Sequence, residues 1–150
     1  MYRGKPSKAT YKVARTSLGS LAFELIQPAS GDSIYQDWLS KHGEGFQCLM
    51  FATQNSDVAS VQSAMERIGF PAVQSGHADP SSLGRFSIFD TRNALRCMWG
   101  TRTGLCDPPA NAAAYPADPG LSAKPKVPIA DVPQVALIVS NMQSTIRNYW

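Results

Sequence analysis

Glu24 lies in LAFELIQ, where it follows Phe23 and precedes Leu25 and Ile26, so strand alternation turns its carboxylate away from the core side. Inside an apolar hollow such a group is desolvated, its pKa rises, and it can serve as a general acid or base. The competing reading is an ion pair with Arg15 across a hairpin. Gln134 opens an apolar run, and its amide could hydrogen-bond a substrate carbonyl or satisfy a strand edge. His77, in QSGHADP, suits either a proton shuttle or an exposed turn. Cys48 could be a nucleophile, but with no histidine or cation beside it the alternative is a small buried hydrophobe. Met50, Met98, Trp99 and Phe86 could wall a substrate pocket or form ordinary core. Asp90 reads as a turn former, and His42 and Glu44 as solvent residues at a helix end.

Regular elements must position these groups. Tyr11 to Ala14 and Leu21 to Gln27 read as a hairpin turning at Leu18-Gly19-Ser20. DSIYQDWLSKHGEG predicts a short helix, with Asp32 or Ser33 as N-cap and Gly43 as the stop. FQCLMFAT reads as a buried strand, and DVASVQSAMERIG as a helix with Val58, Val61, Met65 and Ile68 on one face. PAVQSGHA, GRFSIFD and ALRCMWGT give three more strands, the last two joined across Thr91-Arg92-Asn93. Residues 46–101 therefore form a βαβββ unit.

Prolines crowd 104–133, which reads as an extended linker. Beyond it, Gln134 to Val139 predicts a strand and Asn141 caps a helix carrying Met142, Thr145, Ile146 and Tyr149. The division is a hairpin plus complete module over 1–103, a linker over 104–133, and a βα unit over 134–150. Moving that βα unit to the front yields βα-ββ, one strand short of a second βαβββ. The expected fold is α+β, with paired βαβββ modules forming a cup-shaped sheet, circularly permuted, and the C-terminal helix under the N-terminal hairpin. Truncation of a longer chain, or exchange of the βα arm between two copies, would produce the same order.

Composition excludes several classes. The chain has 150 residues, 43% of them hydrophobic, enough for one ordinary core. No apolar run reaches the roughly 18 residues of a membrane span, and MYRGKPSKATYK lacks the apolar stretch of a signal peptide, so a cytoplasmic protein with no membrane partner is expected. Arg3, Lys5, Lys8, Lys12 and Arg15 form a basic cluster, but no nucleic-acid motif accompanies it. Cys48, Cys97 and Cys106 read as reduced thiols. An uncovered sheet edge predicts a homodimer, with arm exchange as one form of it.

LAFELIQPASGDSIYQDWLSKHGEGFQCLMF resembles the epimerase-type stretch of the vicinal oxygen chelate superfamily, in which an ELLEP-like strand end leads through a short helix to GEGLHHIAF. PQVALIVSNMQSTIRNYW is similar to that group's opening strand and helix, usually begun by DHIGIAV. The resemblance implies a cup whose concave side holds a divalent metal through one side chain from each of four strands. At the matching positions this chain has Gln134, Cys48, Glu24 and Gly100, and only Glu24 keeps the usual chemistry. The resemblance, with those ligands lost, implies a metal-independent isomerase, cyclase or lyase for a small carbonyl or polyphenolic substrate. Glu24 would act as acid or base, Gln134 as oxygen-binding donor and His77 as proton shuttle, with Arg15, Cys48, Met50, Met98 and Trp99 around the substrate. No cofactor is expected, although weak divalent metal binding at Glu24 stays open. Two alternatives share the resemblance: a sequestering protein for a hydrophobic aromatic ligand, and a recombined or engineered inactive scaffold.

Overall fold

A computed structural model describes residues 1–77, 84–103, 112–113, 134, 136 and 138–149. The class is α+β. Two compact units divide the described chain: one holds Met1–Lys12, Gln27 through the last strand, and the C-terminal helix, and the other holds the distal hairpin, Val13–Ile26, with Gln134 and Ala136. The predicted linker lies outside the described residues except for Ala112 and Ala113.

The hairpin is longer than its sequence pattern indicates: β1 runs Thr10–Leu18 and β2 Leu21–Ser30. Its two-residue loop starts at Gly19, whose φ of 64° suits the tight turns that follow strand twist. Helix α1, Ile34–His42, begins where the Ser33 side chain accepts from the Gln36 N–H and ends at Gly43, whose N–H returns to the Leu39 carbonyl at 3.0 Å.

The predicted βαβββ unit is present. Strand β3 (Cys48–Thr53) is followed by a 3₁₀ turn, helix α2 (Val58–Arg67), β4 (Ala72–His77), β5 (Arg85–Phe89), the one-turn helix α3 (Arg92–Leu95) and β6 (Met98–Thr103). Spatial order is β3-β6-β5-β4, with β3 and β6 parallel and the other pairs antiparallel. Thus Ala94 and Leu95, assigned to a strand by sequence, instead belong to the helical turn that reverses the chain. Thr91 secures that turn: fully buried, its hydroxyl donates to the Cys97 carbonyl at 2.7 Å and accepts from the Trp99 N–H at 3.0 Å.

Register assigns the two faces of the sheet. Cys48, Met50, Met98, Gly100, Ile88 and Phe86 share one face; Leu49, Phe51, Trp99, Thr101, Ser87 and Phe89 share the other. Helix α1 lies on the first, where Ile34, Ile88 and Met98 form a buried core joined by Tyr35, Trp38 and Cys48. Gln74 fastens it by accepting from the Ile34 N–H at 2.7 Å, and the Gln47 amide donates to the Ile34 carbonyl at 3.3 Å. Helix α2 lies on the second face, its Gln62 amide donating to Ser87.

The two sheet edges differ. Met1–Arg3 cover β4, through Arg3 N–H to the Val73 carbonyl at 2.8 Å and Ser75 N–H to the Met1 carbonyl at 3.0 Å. Strand β3, expected to be buried, pairs among the described residues with β6 alone and leaves Met50 38% and Phe51 44% exposed. Gln134, Ala136, Ile138 and Val139 carry no strand, so the completing strand is not seen among the described residues. The C-terminal helix α4, Met142–Tyr149, lies beside α3. No helix among the described residues is long and apolar enough to cross a membrane.

Charged groups tie α1 to its surroundings. Asp37 accepts from the Tyr2 hydroxyl and pairs with Arg3 at 2.6 Å and Lys41 at 3.7 Å; the Tyr2 hydrogen bond foremost holds its carboxyl below the usual range. Arg92 grips Asp90 with two donors, at 2.7 and 2.6 Å, and lies 2.9 Å from His42 Nε2. Asp90 and His42, read as a turn former and a solvent residue, therefore join α1 to the turn before β6.

Replacing Thr91 with valine keeps shape and volume but leaves the buried Cys97 carbonyl and Trp99 N–H without their partner. The expected loss is about 2 kcal/mol, read as a lower urea midpoint at unchanged denaturant slope.

Candidate functional site

Between α2 and the β3–β6 edge lies a cleft of about 260 Å³ lined by Phe51, Thr53, Val61, Met65, Phe89 and Trp99, with Ala52, Gly100 and Thr101 at its floor. Its walls follow from two periodicities. Val61 and Met65 are one helical turn apart on α2, whereas Phe51 and Thr53, and Trp99 and Thr101, alternate onto the same sheet face. The Phe51 and Trp99 rings stack at 4.9 Å with their planes tilted by 58°. The lining is almost wholly apolar, with aromatic walls, and Thr53 and Thr101 are the hydroxyl-bearing residues in it.

The opposite face carries three of the predicted pocket residues, Cys48, Met50 and Met98. Trp99, expected among them, points to the α2 side, because one residue of strand reverses direction. Met98 is fully buried under α1. The Cys48 thiol is pushed up to about 12 by burial and then by Cys97. A thiol with that pKa is almost entirely protonated at neutral pH and is no nucleophile. Met50 lies across Gly100: a Cβ on residue 100 would come within 3.1 Å of the Met50 methyl carbon and even closer to its sulfur.

In the hairpin unit, Glu24 Oε1 accepts from Arg15 Nε at 2.6 Å, and each side chain is about one quarter exposed (23% and 26%). The ion-pair alternative is thus the observed arrangement. Gln134 is exposed and outside any strand, and His77 is exposed at the end of β4, in register with Arg85.

A hard divalent metal of the kind the resemblance implies does not fit these residues. Glu24 is engaged by a guanidinium, Gly100 has no donor, and Cys48 is a protonated thiol. Among the described residues no three His, Cys, Asp or Glu side chains gather as a metal group.

Sequence reasoning named Trp99 but not Phe51, Thr53 or Phe89 as pocket residues, and took Val61 and Met65 only as a core-facing stripe. Two signals were available. Phe51, Trp99 and Phe89 occupy the odd strand positions opposite Met50, Met98 and Ile88, and the α2 stripe is too short to cover them all.

No family model matches the sequence, and no curated protein matches it. Among solved structures, the hypothetical protein BH1468 from Bacillus halodurans C-125 is similar with a TM-score of 0.48 and 16% identity, over 65% of this chain and 70% of that one.

Two expected outcomes test this assignment of roles. In the folded protein at pH 8, Cys48 should resist iodoacetamide, and peptide mapping should find it labelled only after denaturation. Glu24→Gln should shift the chemical-denaturation free energy by less than about 1 kcal/mol, as for other partly exposed ion pairs.

Proposed function

We propose that this is a glyoxalase-type α+β protein of the cytoplasm that binds a small aromatic molecule in the α2 cleft without metal and without transforming it. The observation that carries the reading is the apolar cleft itself, with Phe51 and Trp99 forming one wall and Val61 and Met65 the other. Its volume limits the guest. A cavity of about 150 Å³ takes benzene, and drug-sized ligands need roughly 300–1,000 Å³, so 260 Å³ suits one or two fused rings. Thr53 and Thr101 favour a ring bearing a hydroxyl or carbonyl, which keeps the substrate class expected from sequence but not the catalysis. Support for the superfamily lies in the strand order β3-β6-β5-β4 with a parallel outer pair. Homodimer formation through the β3 edge belongs to the same reading, because that edge strand is uncharged and apolar.

The test is titration with phenol, 1-naphthol, indole and benzoate, followed by tryptophan fluorescence and by chromatography of the ligand. Naphthol should bind with a dissociation constant on the order of 0.1 mM, the range open to so few heavy atoms. Val61→Trp, which fills the cleft, should abolish binding, while Glu24→Gln should leave it unchanged. Chemical conversion of any ligand, lost in Glu24→Gln, would instead establish the isomerase or lyase reading.

A further inference from the structure

Two buried hydroxyls stand behind the cleft, outside its lining. Ser87 is 1% exposed and Thr103 3% exposed, and alternation puts both on the α2 face of the sheet. Each oxygen is already occupied by a group that can only donate. Ser87 Oγ accepts from the Gln62 side-chain amide, and Thr103 Oγ1 accepts from the Arg85 backbone N–H at 2.9 Å. An accepting hydroxyl still carries its own hydrogen, and a buried donor left unspent is costly. Among the described residues neither hydroxyl donates a hydrogen bond. Register sets a second hydroxyl beside each on the same face: Ser87 opposes Thr101 across β5 and β6, and Thr103 opposes Thr53 across β6 and β3. Those two partners are the hydroxyl-bearing residues of the cleft. We infer that the cleft is specific for an uncharged aromatic carbonyl compound, whose oxygen accepts from the cleft threonines while Ser87 and Thr103 act behind them as positioning residues. The inference rests on the cleft reading above and deepens it, by fixing which polar group the guest must carry.

The direction of the two rows decides between acceptors and donors. Side chains opposed on one face of an antiparallel pair have Cβ atoms roughly 4.5–5.5 Å apart, and rotation about χ1 brings such hydroxyls into contact. When Ser87 donates to Thr101, the threonine oxygen accepts and its own hydrogen is directed onward. The same holds from Thr103 to Thr53. Both rows begin at an N–H, so both deliver a donor at the cleft. A carbonyl, which can only accept, completes such a row, whereas a hydrocarbon that displaces water leaves the threonine hydrogens unpaired. Charge is excluded on separate grounds. None of the described lining residues is charged, so a carboxylate guest would lose its water with no cation to offset the cost.

The experiment titrates the full chain with 1-tetralone and with tetralin, fused bicycles of matching size that differ by one carbonyl oxygen, and follows tryptophan fluorescence. Thr53→Val combined with Thr101→Val should lower the ratio of tetralone to tetralin affinity about tenfold, the loss expected when a buried acceptor forfeits its hydrogen bond. Infrared spectra supply a second readout. The carbonyl stretch of bound tetralone should lie below its frequency in hexane and return toward it in the double variant. Ser87→Ala should move the same band part of the way, a change that a merely structural serine would not cause. Should the double variant fail to fold, the band in the native chain carries the test. An unchanged affinity ratio in the double variant, or a bound carbonyl stretch at its hexane frequency in the native chain, would overturn the inference and leave the cleft standing. Failure of both ligands to bind, or binding that survives Val61→Trp, would overturn the cleft reading and the inference with it.

Discussion

Parallel pairing of β3 with β6 is the constraint from which the rest of the module follows. Parallel neighbours cannot be joined by a tight turn, so the chain leaving Thr53 must cross over and return before Met98 can lie beside Cys48. The crossover contains α2, which covers one face, and β4 and β5, which extend the sheet beyond β6. Because β3 is the outermost of the described strands in this sheet, the cleft lies at its edge, beside α2. A reordered sheet with β3 inside would bury Phe51 and close the cleft.

Buried polar groups then decide which pieces stay attached. Gln74, Ser33, Thr91 and Ser87 are all buried, and each has a hydrogen-bonding partner across an element boundary or at a helix cap. In a low-dielectric interior such a bond is worth most as a penalty avoided, since an unpaired partner costs more than the bond gains. Helix α1 is therefore anchored at its first turn through Gln74, and its far end is reached by the Arg92–His42 contact. Hydrophobic contact of Ile34 with Ile88 and Met98 supplies attraction without direction, and the amide of Gln74 fixes the position.

Local pattern made the elements legible and long-range pairing made the site illegible. Ser33, Gly43, Gly19 and the α2 stripe act through neighbours a few residues away, so helix ends and the hairpin turn could be read from the chain itself. The Arg15–Glu24 pair was legible for the same reason, as a cross-hairpin neighbour. That Trp99 faces away from Met98 follows from alternation within one strand, but which of the two faces receives α1 and which α2 was not legible, because packing far away in sequence settles it. Arg92 and His42 stand 50 residues apart in the chain, and no periodicity connects them. The run Gln134 to Val139, read as a strand from its apolar pattern, carries no strand at Gln134, Ala136, Ile138 and Val139, the residues of it that are described.

Glycine at position 100 links the two faces in a way that side-chain lists alone do not reveal. On one face it floors the aromatic cleft; on the other it makes the space in which Met50 lies. Any larger residue there would push the thioether outward, away from Cys48, and would press against the Ser87 carbonyl at 3.0 Å on the adjacent strand. A glycine inside a strand is disfavoured by its conformational freedom and by its lack of a side chain to pack. Its place at the centre of β6 is therefore best understood through what approaches it. That approach is by the Met50 thioether and by the Ser87 backbone carbonyl together, so the space a side chain would need at residue 100 is already taken from two directions.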